Sequence, residues 1–307
     1  MTVDRRDFIF AGLGLAATAG LPAFGRGRYE QLNVAHVRIA AGAERPFSVL
    51  HVSDTHLTLA GDDEPESLRR TAASRADVFG GRQLEALETT VEWARHNVDY
   101  LVHTGDLVDF VSAANLAAVR RCLGGAAAAF GCMGNHEFTP SAGAKDAAER
   151  RRAFRDRLAD AFPYDPSFAA CVVNGVNFVA MDDVFDDVAP ELATRFEAEA
   201  RKGLPIVLLV HVPFRTPLVA AGNDKYWSWD RKFRNDPVPF RRGFWLCEKS
   251  SDRDTADFIR YLKSEKQLKG ILAGHFHFSV QDRFSPTAME YVVGGNYGFV
   301  AQEVQIV

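Results

Sequence analysis

Along the 307-residue chain, short apolar runs alternate with segments in which apolar residues recur every three or four positions. "PFSVLHVSD" (46–54), "LPIVLLVH" (204–211) and "GILAGH" (270–275) are the clearest apolar runs and read as buried strands ending in polar residues. "DYLVHTGD" (99–106) and "AAAFGCMGNHE" (127–137) read as two more, the second short and running into a turn. Helical spacing marks "GRQLEALETTVEWARHNV" (81–98), "SAANLAAVRRCL" (112–123), the Arg-rich stretch 144–162, a segment near 188–202 and "DTADFIRYLKSEK" (254–266). "FAACVVNGVNFVAMDD" (168–183) reads as two strands turning at Asn174-Gly175, a dipeptide suited to the positive φ angles of a tight hairpin. Strands alternating with helices, then a late group of strand-like segments, predict an α/β fold with a two-sheet core and helices outside. Nothing in the composition divides residues 26–307, which read as one domain.

The first 25 residues follow another pattern. Arg5-Arg6, one intervening residue and Phe8-Ile9 precede a Gly/Ala-rich, weakly apolar segment ending near Pro22. This resembles a twin-arginine export signal. The resemblance implies the twin-arginine export machinery as a partner and a periplasmic or extracellular location, with a membrane tether if the segment stays uncleaved. "PAFG" matches a small-x-small cleavage site poorly, so the cleavage point stays open.

Composition adds limits. The chain is 47% apolar and 25% charged, as in ordinary globular proteins, and carries a formal charge of −4, which argues against a stable nucleic-acid partner. Cys122, Cys132, Cys171 and Cys247 show no C-x-x-C spacing, so a cysteine zinc site is not expected and buried free thiols are. The oligomeric state is not legible.

The predicted strands end in metal-binding chemistry: Asp54-Thr-His56, then Gly105-Asp106-Leu-Val-Asp109, then Gly134-Asn135-His136-Glu137, then His211, then Gly274-His275-Phe-His277. Donors at the carboxyl ends of buried strands converge on one sheet edge. On an extended segment, His275 and His277 would point the same way and face one centre. His36, His51, His96 and His103 read as ordinary polar strand or helix residues, His103 contacting the site at most indirectly.

The ordered set D-x-H, G-D-x-x-D, G-N-H-E, H and G-H-x-H resembles the calcineurin-like metallophosphoesterases over residues 54–277. The resemblance implies a four-layer αββα sandwich of two mixed β-sheets flanked by helices, with two metals at the strand carboxyl ends. By the family pattern, Asp106 bridges the metals, Asp54, His56 and His277 complete one site, and Asn135, His211 and His275 the other. Two divalent cations roughly 3.5–4 Å apart neutralise phosphoryl oxygens and lower the pKa of water from 15.7 to about 7, giving a metal-activated hydroxide. Mixed nitrogen and oxygen donors suit Fe, Mn or Zn better than Mg or Ca. His136 is then left for the phosphate or leaving group, with Asp109 holding its tautomer. Asp109 has a competing reading as the N-cap of the helix that follows.

Departures from the family narrow the activity. Phe110-Val111 stands where Ser/Thr protein phosphatases carry Arg-Gly, and Asp109 where purple acid phosphatases carry Tyr. What remains resembles the broad group of bacterial phosphoesterases that includes cyclic-nucleotide and glycerophosphodiester hydrolases, and the resemblance implies a small phosphoester, preferably a phosphodiester of one of those kinds, as substrate. A phosphomonoesterase is the alternative, and a nuclease or a non-catalytic scaffold lies further off. Two segments beside donors, 57–80 and 212–250, are expected to be specificity loops. The second holds eight Arg/Lys against four Asp/Glu, and Arg215, Trp227 and Trp229 are its candidate substrate contacts.

Overall fold

The computed structural model describes residues 31–124, 128–138, 147–184, 187–227, 246 and 252–307. Residues 1–25, expected to be an export signal, Trp229, Cys247 and much of 212–250 lie outside the described residues, as does the Trp227 side chain.

Two mixed sheets form the centre. One runs in the order β1 (Asn33–Ile39), β11 (Val300–Ile306), β2 (Phe47–Val52), β3 (Tyr100–Thr104), β4 (Ala129–Cys132). The other runs β5 (Phe168–Val173), β6 (Val176–Met181), β7 (Ile206–Leu209), β8 (Leu268–Ala273), β10 (Met289–Val292), β9 (Val280–Arg283). Strands β2, β3 and β4 are mutually parallel, as are β6, β7, β8 and β10, so each group releases its chain at one edge.

Alternation along the strands builds the layers, because successive side chains of a strand face opposite sides. Val49, Val102, Phe178, Leu209 and Leu272 turn inward and form a dry core between the sheets. Their neighbours Leu50, Leu101, Val179, Leu208 and Ile271 turn outward. There they meet Leu87 and Val91 of α2 (Gln83–Asn97), Val119 of α3 (Ala113–Gly124), Phe196 of α5 (Pro190–Ala200), and Phe258 and Leu262 of the 253–264 helix, here α7. The result is the four-layer sandwich. Phe178 makes edge-to-face contacts with Phe47 and Phe130 at centroid distances of 6.0 and 5.1 Å, each worth about 0.5–1.5 kcal/mol beyond buried area. Asn174 and Gly175 take φ of 46° and 80°, so β5 and β6 form the expected hairpin.

Three elements differ from expectation. β1 is a largely exposed strand whose polar residues hide its period, and it pairs in parallel with β11. Segment 57–80 contains helix α1 (Glu66–Val78), a polar helix with Ala72 as its buried residue. The loop expected from residue 212 onward holds helix α6 (Pro217–Trp227). α4 (Ala147–Ala159) is the Arg-rich helix. Cys122 and Cys132 are buried free thiols, whereas Cys171 is exposed because it sits on the outer edge strand β5. Among the described residues no helix is long and apolar enough to cross a membrane.

Candidate metal centre

The loops after β2 and β3 lie side by side. Asp54 N–H donates to the Gly105 carbonyl, His56 N–H to that of Asp106 and Leu57 N–H to that of Leu107, each at 2.9 Å. The tight course is paid in backbone conformation: among seven described non-glycine residues with positive φ, five are Asp54, His56, Asp106, His275 and His277. Gly105 has φ of +90°, and a Cβ there would come within 2.5 Å of the Gly134 nitrogen and 2.7 Å of His211 Nδ1. A Cβ on Gly274 would fall 1.8 Å from Ser53 Oγ, so this glycine lets the second sheet's loop close on the first. His275 N–H then reaches Asp54 Oδ2 at 2.8 Å.

Three overlapping donor groups result. Asp54, His56 and His277 present ligand atoms within 4.8 Å of one another, so do Asp106, His211 and His275, and a third group, His56, Asp106 and His136, lies between them. His56 Nε2 faces His277 Nε2 at 3.1 Å, and His211 Nε2 faces His275 Nδ1 at 3.2 Å. Asp106 Oδ2 lies 3.7 Å from His56 Nε2 and 3.3 Å from His211 Nε2, touching the first two groups. The H-x-H pair thus divides its work, and not by the expected route. β8 ends at Ala273, and both histidines take left-handed backbone, φ 69° and 60°, so the extended-strand argument does not apply.

Hydrogen bonds set the tautomers. His56 Nδ1 donates to Asp109 Oδ1 at 3.1 Å and His211 Nδ1 to the Thr104 carbonyl at 2.8 Å, so each ring turns Nε2 to the centre, the donor atom once the imidazole is neutral. Tyr297 hydroxyl lies 3.3 Å from His277 Nδ1. Burial alone would push Asp54 and Asp106 up, yet both are held well below the usual carboxylate range, by His277, His56 and His211 around Asp54 and by His211, His136 and His56 around Asp106. The carboxylates act in return: against burial, Asp109, Asp54 and Asp106 raise His56 to about 9, and Asp106 with Asp54 raises His211 to about 10. Burial keeps His275 neutral, pushed down to about 3.

A buried donor set whose nitrogens confront one another, interleaved with ionised carboxylates, fits cations and has little other use. Asn135 comes to this edge at the end of β4, half-buried, while the next residue's N–H bonds Asp106 Oδ1 at 2.8 Å. His136, 24% exposed, places Nδ1 3.0 Å from both the carbonyl and Oδ1 of Asp109. Asp109 is not a helix cap: Ser112 Oγ accepts from Asn115 N–H at the start of α3. Arg215 is exposed four residues beyond His211, its N–H bonded to the Leu246 carbonyl at 2.8 Å.

A family model described as calcineurin-like phosphoesterase matches residues 47–279. The chain belongs to that family. This phosphoesterase is a metal-dependent phosphoester hydrolase, and its family typically binds two metal ions. Among solved structures it is similar to a dimetal phosphatase from Danio rerio, at 13% identity over 82% of this chain and 88% of that one, TM-score 0.43. It is also similar to a 5'-nucleotidase from Candida albicans, at 12% identity over 86% and 47% of the two chains, TM-score 0.40. A 5'-nucleotidase precursor from Thermus thermophilus shows 16% identity over 83% and 50%, TM-score 0.38. The phosphoesterase spans about half the length of these two nucleotidases. No curated protein matches the chain.

Several residues at the site carry no sequence signal of their role. Glu137 was visible in G-N-H-E, and its buried carboxylate accepts from the N–H groups of Asp106, Val108 and Gly134 at 2.9, 3.0 and 2.7 Å, clamping two donor loops together. Asp183, at the end of β6, does the same for His211 and Val212 at 3.0 and 3.1 Å. Phe79 stacks flat on the His56 ring at 4.3 Å. His51 and His103 are strand residues as expected, fully buried and bonded to Thr104 and Thr55 hydroxyls.

Proposed function

We propose that this phosphoesterase hydrolyses a small phosphodiester, of the cyclic-nucleotide or glycerophosphodiester kind, with two metal ions drawn from Fe, Mn or Zn. The observation that carries the dimetal reading is Asp106 Oδ2, which lies within 3.7 Å of an imidazole nitrogen of each donor group. Asp54, His56 and His277 would hold one ion, Asn135, His211 and His275 the other, with Asp106 between. Bound there, the ions supply positive charge to the phosphoryl oxygens and lower the pKa of water to about 7.

The protein supplies the rest. Glu137 and Asp183 hold the donor loops in register through backbone N–H bonds. Asp109 keeps a proton on His136 Nδ1, so the imidazolium has Nε2–H to give to the departing alkoxide oxygen. Burial opposes that charge but Asp106 and Asp109 outweigh it and raise His136 above its ordinary value. Preference for a diester is supported by charge. Arg75, whose guanidinium reaches this site, is committed to Asp109, and a monoanionic diester needs less added positive charge than a dianionic monoester.

The decisive experiment compares an aryl monoester, an aryl diester and a cyclic nucleotide on Mn- and Fe-loaded protein. Faster diester turnover is the expected result, and faster monoester turnover moves the assignment to a phosphomonoesterase. Export is a separate part of the proposal, supported by the Arg5-Arg6-x-Phe-Ile pattern. A reporter fused to residues 1–25 tests it: export unchanged after Arg5-Arg6 become Lys-Lys would exclude the twin-arginine route.

A further inference from the structure

Helix α1 stands outside the five motifs, yet its last turn reaches the reacting end of the site. Arg75 donates from Nε to Asp109 Oδ2 at 2.6 Å and from Nη2 to Oδ1 at 2.7 Å, a paired fork between guanidinium and carboxylate. The Asp109 side chain is 2% exposed and that of Arg75 34%. The partition of donors on this carboxylate is the telling point. The two imidazoles, His56 Nδ1 at 3.1 Å and His136 Nδ1 at 3.0 Å, both lie against Oδ1, whereas Arg75 spans both oxygens and supplies the bond to Oδ2. The carboxylate torsion of an aspartate is broad and roughly two-fold, so two donors on one oxygen leave it free to swing. The third donor, on the other oxygen, fixes its plane.

The same turn packs what it orients. Phe79, four residues beyond Arg75, covers the His56 ring with planes 8° apart, and the Arg75 guanidinium lies 5.0 Å from the Phe79 ring centre. α1 is therefore a buttress against one side of the site, where the sequence suggested a specificity loop.

We infer that Arg75 is a positioning residue for the phosphoester reaction: by fixing the Asp109 carboxylate it holds His136 in the orientation that presents Nε2 to the leaving group. The inference rests on the phosphoesterase reading of this site and names a residue outside the family's motifs. Loss of such an outer partner typically costs 10–100-fold.

The test uses Arg75→Ala and Arg75→Lys in the full chain, alone and with Asp109→Asn. Arg75→Ala should stay folded with both metals by elemental analysis, lose about 10–100-fold in kcat, and keep KM within about twofold. Millimolar guanidinium should restore part of that loss, and Arg75→Lys, which keeps the charge but not the fork, should fall between wild type and Arg75→Ala. In the Asp109→Asn background Arg75→Ala should cost nothing further. A readout independent of turnover is the ¹⁵N shift of His136 Nδ1 in metal-free protein, which should move as its proton passes from the Asp109 carboxylate to the Asp109 carbonyl, also 3.0 Å away. A rise in KM with kcat unchanged would overturn the inference in favour of direct substrate contact. A full loss persisting in Asp109→Asn, or an unaltered His136 signature, would overturn it equally. Wild-type protein inactive on every ester would instead refute the phosphoesterase reading, while the ¹⁵N measurement still decides the role of Arg75.

Discussion

Stripping the metals with a chelator should convert the centre into a proton store, and the structure gives its size. In the metal-free protein Asp54 and Asp106 remain ionised, while His56 and His211 are raised to about 9 and about 10. His275, at about 3, and His277, lowered by burial, are neutral. At pH 8 the six side chains thus hold two negative and two positive charges. Ligation needs the neutral imidazole, so filling both sites at pH 8 should release about two protons from His56 and His211. Water acidified to about 7 adds about one more. Titration calorimetry of the metal-free protein in buffers of different ionisation enthalpy reads this number directly. The pH dependence is sharper still. Each proton displaced raises apparent affinity about tenfold per pH unit up to the metal-free pKa, so affinity should climb on both groups to about pH 9 and on His211 to about pH 10. Unperturbed imidazoles would level off near 6.5. A plateau between pH 7 and 9, with both metals bound, would show that the carboxylates are not charging these imidazoles and would refute the electrostatic account.

His136→Ala should keep both metals and lose about 10²–10⁴ in turnover, most for an alkyl ester and least for an activated aryl ester, because only a poor leaving group needs a proton; a lost metal would make His136 a ligand. Gly105→Ala forces a Cβ to within 2.5 Å of the Gly134 nitrogen at φ +90° and should cost at least ~2 kcal/mol in denaturant unfolding and lower metal content; a stable, fully loaded variant would show the turn to be plastic. His51 and His103, fully buried, are pushed by desolvation to about 3. The unfolded chain protonates them near 6.5 and the folded chain does not, so stability should fall between pH 6.5 and 3 by up to about 1.4 kcal/mol per unit for each. Denaturant melts of chelated protein at pH 7 and 5 check this, and His51→Gln should flatten the slope.

The strands that carry donors were legible because each is apolar on both faces and stops at a charged or imidazole residue, a signal that survives without tertiary knowledge. Asn174-Gly175 announced its hairpin for the same local reason. β1 was not legible, since an exposed edge strand such as "NVAHVRI" shows little alternation. α1 hid behind a polar composition, and with it Arg75, whose role arises from a partner 34 residues away. The seven proposed metal donors and His136 could be named from the resemblance of the ordered motifs to the family pattern, which was silent on conformation. The left-handed backbone at His275 and His277 follows directly on Gly274, where the second sheet's loop closes on Ser53 of the first. Nor could sequence separate Asp109 from a helix cap until Ser112 was seen in that position.

The parallel pairing of β1 with β11 determines from which side the molecule can be held. Asn33 lies beside Val300, at the end of the sheet where β2 delivers Asp54, while Ile39 lies beside Ile306 at the opposite end. Two strand spacings, about 10 Å, separate β1 from β2. Anything joined ahead of Asn33, whether an affinity tag, a fusion partner or a surface anchor, therefore emerges next to the opening through which an ester must pass. A group joined after Val307 emerges at the far end of the sandwich. For immobilisation, crystallisation or kinetic work the carboxyl terminus is the attachment point that leaves access unobstructed.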